Sequence, residues 1–248
     1  MWFLCSDSSV YTLRIGFNDS SDGLELTVEK IIRHELYFQS ESYHDIALVF
    51  IKRAIHITSR LDIVCLPSHY VSIGRLIGRR GTVLGFSDSH YNRYVSQTLK
   101  QIEIKIIYIE EFDHKYAVGD RHNIPVGIQD CMVCATALGP NDVAHGDSGQ
   151  SSIDLNKFWI NFKIFYYWKG GPLIVTQNEV QYLIGIVSFS RSSGSVSIPG
   201  VYTNVLYYRK WILNKLSKNW FNNKTIIFKN DFIEKNEKQN KIKAKNQN

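Results

Sequence analysis

The chain predicts an all-β protein, either a barrel or a sandwich, on three observations. Short stretches of alternating apolar and polar residues recur, polar or glycine-bearing turns separate them, and helical periodicity is confined to one segment near the C-terminus. In the clearest stretch Ile102, Ile104 and Ile106 fall on one face and Glu103 and Lys105 on the other, as a half-buried strand requires. Residues 10–17, 25–32, 46–51, 81–86 and 182–189 read the same way and are enriched in β-branched and aromatic types. The run NDSSDG at 18–23 is a turn between the first two. Only residues 205–216 read as a helix, with Val205, Tyr208, Ile212 and Leu216 on one face. Periodicity alone does not choose between barrel and sandwich.

The 248 residues suffice for one large domain or two small ones sharing an interface. No apolar run approaches the roughly 18 residues of a spanning helix. Residues 1–7, MWFLCSD, lack a basic start and a sustained apolar core, so they do not read as a secretory signal. The formal charge of +6 is concentrated at one end: residues 217–248 carry eight Lys against Asp231, Glu234 and Glu237, which leaves the body at +1. That placement argues against a nucleic-acid surface and for a Lys- and Asn-rich, solvated, disordered tail. The Cys-x-x-Cys of Cys131 and Cys134 has no second cysteine pair or spaced histidine pair, so neither a metal nor a cofactor is expected.

Four blocks, in order, carry chemistry. They are HDIALV at 44–49, IVCLP at 63–67, GDSG at 146–149, and IVSFS at 186–190 followed by PGVYTNV at 199–205. Together they resemble the chymotrypsin/trypsin family of serine peptidases, over a span from about Cys5 to Leu216. The resemblance implies two antiparallel β-barrels, the first missing its opening strands, closed by a C-terminal helix, with residues 1–216 as the peptidase domain. It implies a serine-type endopeptidase in which Ser148 is the nucleophile and Asp45 orients the base. The backbone N–H groups of Gly146 and Ser148 would form the oxyanion hole. Asp142, six residues before Ser148, stands where trypsin-like members bind substrate Arg or Lys. Ser188 would lie beside Asp45 and line the substrate strand, and Ser190 would narrow the pocket neck.

The same resemblance exposes departures. Leu4 stands at the position of the catalytic histidine, with Cys5 as the cysteine that follows it, so the chain as given is expected to be nearly inert. His34 is too near Asp45 in sequence to substitute, and His44 is expected on the opposite side of a strand; both read as structural. No Ile-Val-Gly-Gly activation segment is present to supply an ammonium for Asp147. Cys134 matches a disulfide position whose partner is Phe112, while Ala144 and Ser195 replace another pair together. Cys5 and Cys65 would bond to segments upstream, which reads as truncation. The alternative function is a non-catalytic homologue acting as a binding or regulatory module. The expected partner is a protein or peptide, without nucleic acid or a membrane span. The chain is expected to be a monomer, extracellular when complete.

Deleting residues 150–170 would restore GDSGGPLIV, and that segment is compositionally foreign. Seven of its 21 residues are aromatic, against 13% of the chain, and 13 of them are Ile, Asn, Lys, Phe or Tyr. Those types have A/T-rich codons, as expected of translated intron sequence. A real loop of this composition would instead be a hydrophobic arm.

Overall fold

The computed structural model describes residues 11–16, 23–38, 40–57, 61, 63–86, 99–110, 124–138, 169–189 and 199–220. Strands β1 (Thr12–Ile15), β2 (Leu24–Arg33) and β3 (Ala47–Ile51) form an antiparallel sheet in that order. Six further strands are β4 (Arg80–Phe86), β5 (Leu99–Ile107), β6 (Met132–Ala137), β7 (Pro172–Gln177), β8 (Val180–Phe189) and β9 (Gly200–Asn204). They close into a barrel ordered β4-β5-β6-β9-β8-β7. Closure is made by β4 pairing with β7, Thr82 opposite Ile174 and Val83 opposite Leu173. It leaves no free edge in this half and decides for a barrel over a sandwich.

The alternation read in β5 is the alternation of burial. Ile104 is 1% and Ile106 0% exposed, while Glu103 and Lys105 face solvent. Strands β6 and β9 showed no such signal, and their burial explains why: all of β9 and most of β6 are buried. Along β6, Met132 and Cys134 join one core, with Tyr43, Ile46 and the C-terminal helix, while Val133 and Ala135 join the barrel interior. Val201 and Tyr202 of β9 divide in the same way. A strand with a core on each face needs apolar or small residues throughout, so the two-residue pattern vanishes. At Gly185 of β8 a Cβ would lie 3.0 Å from the Tyr202 Cβ, so a larger residue would push the neighbouring strands apart.

Residues Ile73–Leu76 form a single helical turn, α1, and Val205–Trp220 form the C-terminal helix α2. Asn204 starts α2: its side-chain oxygen accepts the N–H groups of Leu206 (3.1 Å) and Tyr207 (3.2 Å). Val205, Tyr208 and Ile212 are buried as predicted, but Leu216 is 38% exposed and belongs to neither core. The helix continues four residues past the predicted end.

Replacing Ile106 with Ala should cost about 2–5 kcal/mol through cavity formation. The neighbouring Lys105→Ala should stay within about 0.5 kcal/mol. Urea unfolding of both variants checks this, and equal losses would refute the inward placement of Ile106.

Candidate active site

The connection from β2 to β3 ends in a turn that presents Asp45 two residues before β3. His44 takes a left-handed conformation at φ 55°, and the Ile46 N–H donates to the His44 carbonyl at 2.8 Å. Ile46 then anchors the turn by burying its side chain with Phe189, Val201 and Val205. Tyr43 ties the other side, its hydroxyl donating to the Gly127 carbonyl (2.8 Å) and accepting the Val126 N–H (3.1 Å).

Two hydroxyls from the barrel fix Asp45. Ser188 Oγ donates to Asp45 Oδ2 at 2.7 Å, and Thr203 Oγ1 donates to the Asp45 main-chain carbonyl at 2.7 Å. Ser188 reaches it because β8 is bulged there. Val187 pairs with Tyr202 and Phe189 with the adjacent Val201, so Ser188 is the extra residue and leaves the ladder. Both hydroxyls are 3% exposed, and Asp45 is the partner that satisfies them. Among the described residues the other carboxylate oxygen of Asp45 has no hydrogen bond. A carboxylate so held can accept one N–H from a neighbouring base.

Neither nearby histidine is aimed at that oxygen. His44 does not lie in a strand, contrary to expectation; β3 begins at Ala47 and the turn directs its ring to α2. Its Nδ1 is 2.7 Å from the Tyr208 hydroxyl. His34, just after β2, stacks on His44 with ring centroids 4.7 Å apart and planes 7° apart. Tyr208 and Trp211 of α2 box in His34 at 5.1 and 5.0 Å. Next to it, Glu35 accepts from Lys215 Nζ and from Trp211 Nε1, the latter at 2.7 Å. Those two donors hold its carboxyl down at about 2.

Thr203 and Tyr208 therefore belong to the surroundings of Asp45, although sequence reasoning gave neither a role there. Thr203 lies within the block at 199–205, and the helical pattern places Tyr208 only on the core face of the helix. Ser148, Gly146, Asp147, Asp142, Ser190 and Leu4 lie outside the described residues, as do Cys5 and residues 150–168. No disulfide joins the described cysteines Cys65, Cys131 and Cys134 to one another. Among the described residues no group of three or more His, Cys, Asp or Glu is placed to hold a metal ion.

A closed six-stranded antiparallel barrel, an antiparallel sheet docked against it and one C-terminal helix constitute the all-β chymotrypsin-type fold. The chain belongs to the trypsin family, whose profile matches residues 5–163 and 169–212. The break in that match falls within residues 150–170. Similar proteins include phenoloxidase-activating factor 1 of Holotrichia diomphalia, 27% identical over 216 residues, covering 85% of this chain and 50% of that protein. Transmembrane protease serine 11G of Mus musculus is 30% identical over 210 residues, covering 84% and 43%. Coagulation factor XI of Bos taurus is 31% identical over 189 residues, covering 76% and 25%. The chain spans half or less of the length of these relatives.

Ser188→Ala should cost about 1–3 kcal/mol in the native background. It should cost much less when Asp45 is already Ala, because the contact to the carboxylate is then gone. Additive losses in a urea-unfolding cycle would show that the two side chains are uncoupled. Glu35 has a folded pKa below its ordinary 4.5, so its stabilising contribution is present above pH 4.5 and is lost as pH falls towards about 2. Glu35→Gln should flatten the acid limb of the stability curve across that window, as read by thermal unfolding.

Proposed function

We propose that the chain carries the machinery of a serine endopeptidase that cleaves after Arg or Lys, extracellular when complete. The observation that supports this best is the Ser188–Asp45 hydrogen bond, which fixes a carboxylate where the family holds its orienting acid. In this reading Ser148 attacks the scissile carbonyl, the Gly146 and Ser148 amides stabilise the tetrahedral oxyanion, and Asp142 pairs with the substrate cation. Ser188 also lines the substrate strand and Ser190 the pocket neck. The base is the weak point. Leu4 occupies the histidine position, and an unassisted hydroxyl leaves only binding and oxyanion stabilisation, on the order of 10³–10⁴ over water.

A second reading, a non-catalytic homologue that binds or regulates another protein, is favoured by that leucine. It is favoured also by His34 and His44, whose rings are engaged with each other and with α2.

Labelling of Ser148 by a fluorophosphonate probe separates the readings. The chain should label barely, and Leu4→His should raise the labelling rate at least tenfold. Efficient labelling of the unaltered chain would refute its inertness. No gain in Leu4→His would favour the binding module. In a labelling-competent Leu4→His background, Asp142→Ser should remove preference for Arg and Lys over other residues in peptide substrates; unchanged preference would refute the role of Asp142.

A further inference from the structure

We propose that the stacked His34–His44 pair is a pH-sensitive latch. When neutral it docks the Asp45 turn onto helix α2, and when protonated it releases that contact. This device is independent of whether the chain turns over a substrate.

The hydrogen bonding makes the proton state of His34 consequential. His34 Nδ1 accepts the Leu36 backbone N–H at 3.2 Å, and an amide can only donate, so that nitrogen must be unprotonated. A second proton on the ring therefore breaks this bond. It also places a cation 4.7 Å from a second imidazole and on the side where Lys215 already brings positive charge. Charging both rings sets like charges face to face.

The groups around the pair do not reverse this sign. From α2, Lys215 opposes protonation of His34, Tyr208 bonds His44, and Trp211 packs on His34. Among the described residues Glu35 is the one neighbour that favours a charged His34, but it is itself engaged by Lys215 and Trp211. The carboxylate of Asp45 is directed to Ser188. Cys131, beside Tyr208, has its thiol pushed up by burial and stays neutral. Burial and the neighbouring His44 lower His34 below its ordinary 6.5, and burial lowers His44. The unfolded chain thus binds these protons first. The stability that the neutral pair contributes is complete above pH 6.5 and is lost as pH falls below it.

Backbone strain transmits the effect to Asp45. His44 sits at φ 55°, a conformation that a non-glycine residue holds only while its surroundings enforce it. The stack on His34 is one of the contacts that hold it, beside the Tyr208 hydroxyl on Nδ1 and the Ile46 N–H on the His44 carbonyl. When the stack is lost, the hold on His44 weakens, and the adjacent Asp45 is held less firmly with it.

Thermal unfolding of the full chain between about pH 7.5 and about pH 5 tests the latch. Glu35 remains ionised throughout that range, so its own titration does not intrude. The midpoint should hold steady above pH 7 and drop by several degrees below pH 6.5. His34→Gln combined with His44→Gln should lose at least half of that drop. A flat profile for the unaltered chain, or an equal drop in the double variant, would overturn the proposal. Should the double variant not fold, NMR titration of the two rings in the unaltered chain serves instead. Midpoints below 6.5 support the latch, and midpoints at or above it overturn it.

Discussion

Asp45 is held from the opposite half of the molecule, and the arrangement around the site depends on that. Its carboxylate and its main-chain carbonyl each accept a hydroxyl from the barrel, one from β8 and one from β9. A buried hydroxyl without a partner costs about as much as a lost hydrogen bond to a charged group. The first sheet and the barrel therefore cannot separate without stranding two hydroxyls and a carboxylate together. The contact that positions the acid also registers one half against the other.

The cores are arranged to support this contact. Strands β6 and β9 are shared walls, with the barrel interior on one side and the packing of Tyr43, Ile46 and α2 on the other. Helix α2 is capped by Asn204, whose amide also donates to the Asp130 carbonyl, so the helix start is tied to the entrance of β6. The helix face that buries Tyr208 and Ile212 therefore meets the Asp45 turn at a fixed height. The stacked histidines occupy that meeting point, and the left-handed backbone of His44 records the constraint. In this setting a change of proton state at two rings is a change in how firmly an acid is held.

Membership in the trypsin family accounts for the Asp45–Ser188–Thr203 arrangement, and it does not by itself make the chain an active enzyme. A scaffold that holds the Asp45 carboxylate in place is compatible with proteolysis and with a binding role.

Much of the fold was legible because burial on one face leaves a period in the sequence. Strand β5 and the apolar stripe of α2 carry such periods. Strands β6, β7 and β9 carry none, and for β6 and β9 burial on both faces erases the signal. Leu216 falls on the apolar stripe yet is exposed, since helical phase says which residues align but not where the facing core stops.

By itself the sequence determined the class of fold and the order of the four blocks, and it singled out Asp45. Only the tertiary structure decided what holds that acid. Ser188 and Thr203 lie 143 and 158 residues away from it, and Tyr208 lies 164 residues from His44. A pattern read along the chain reports which face a residue turns inward, whereas the partner it meets there is set by barrel closure and helix docking. The bulge that swings Ser188 out of its ladder, and the turn that swings His44 away from β3, exist only once those elements are packed.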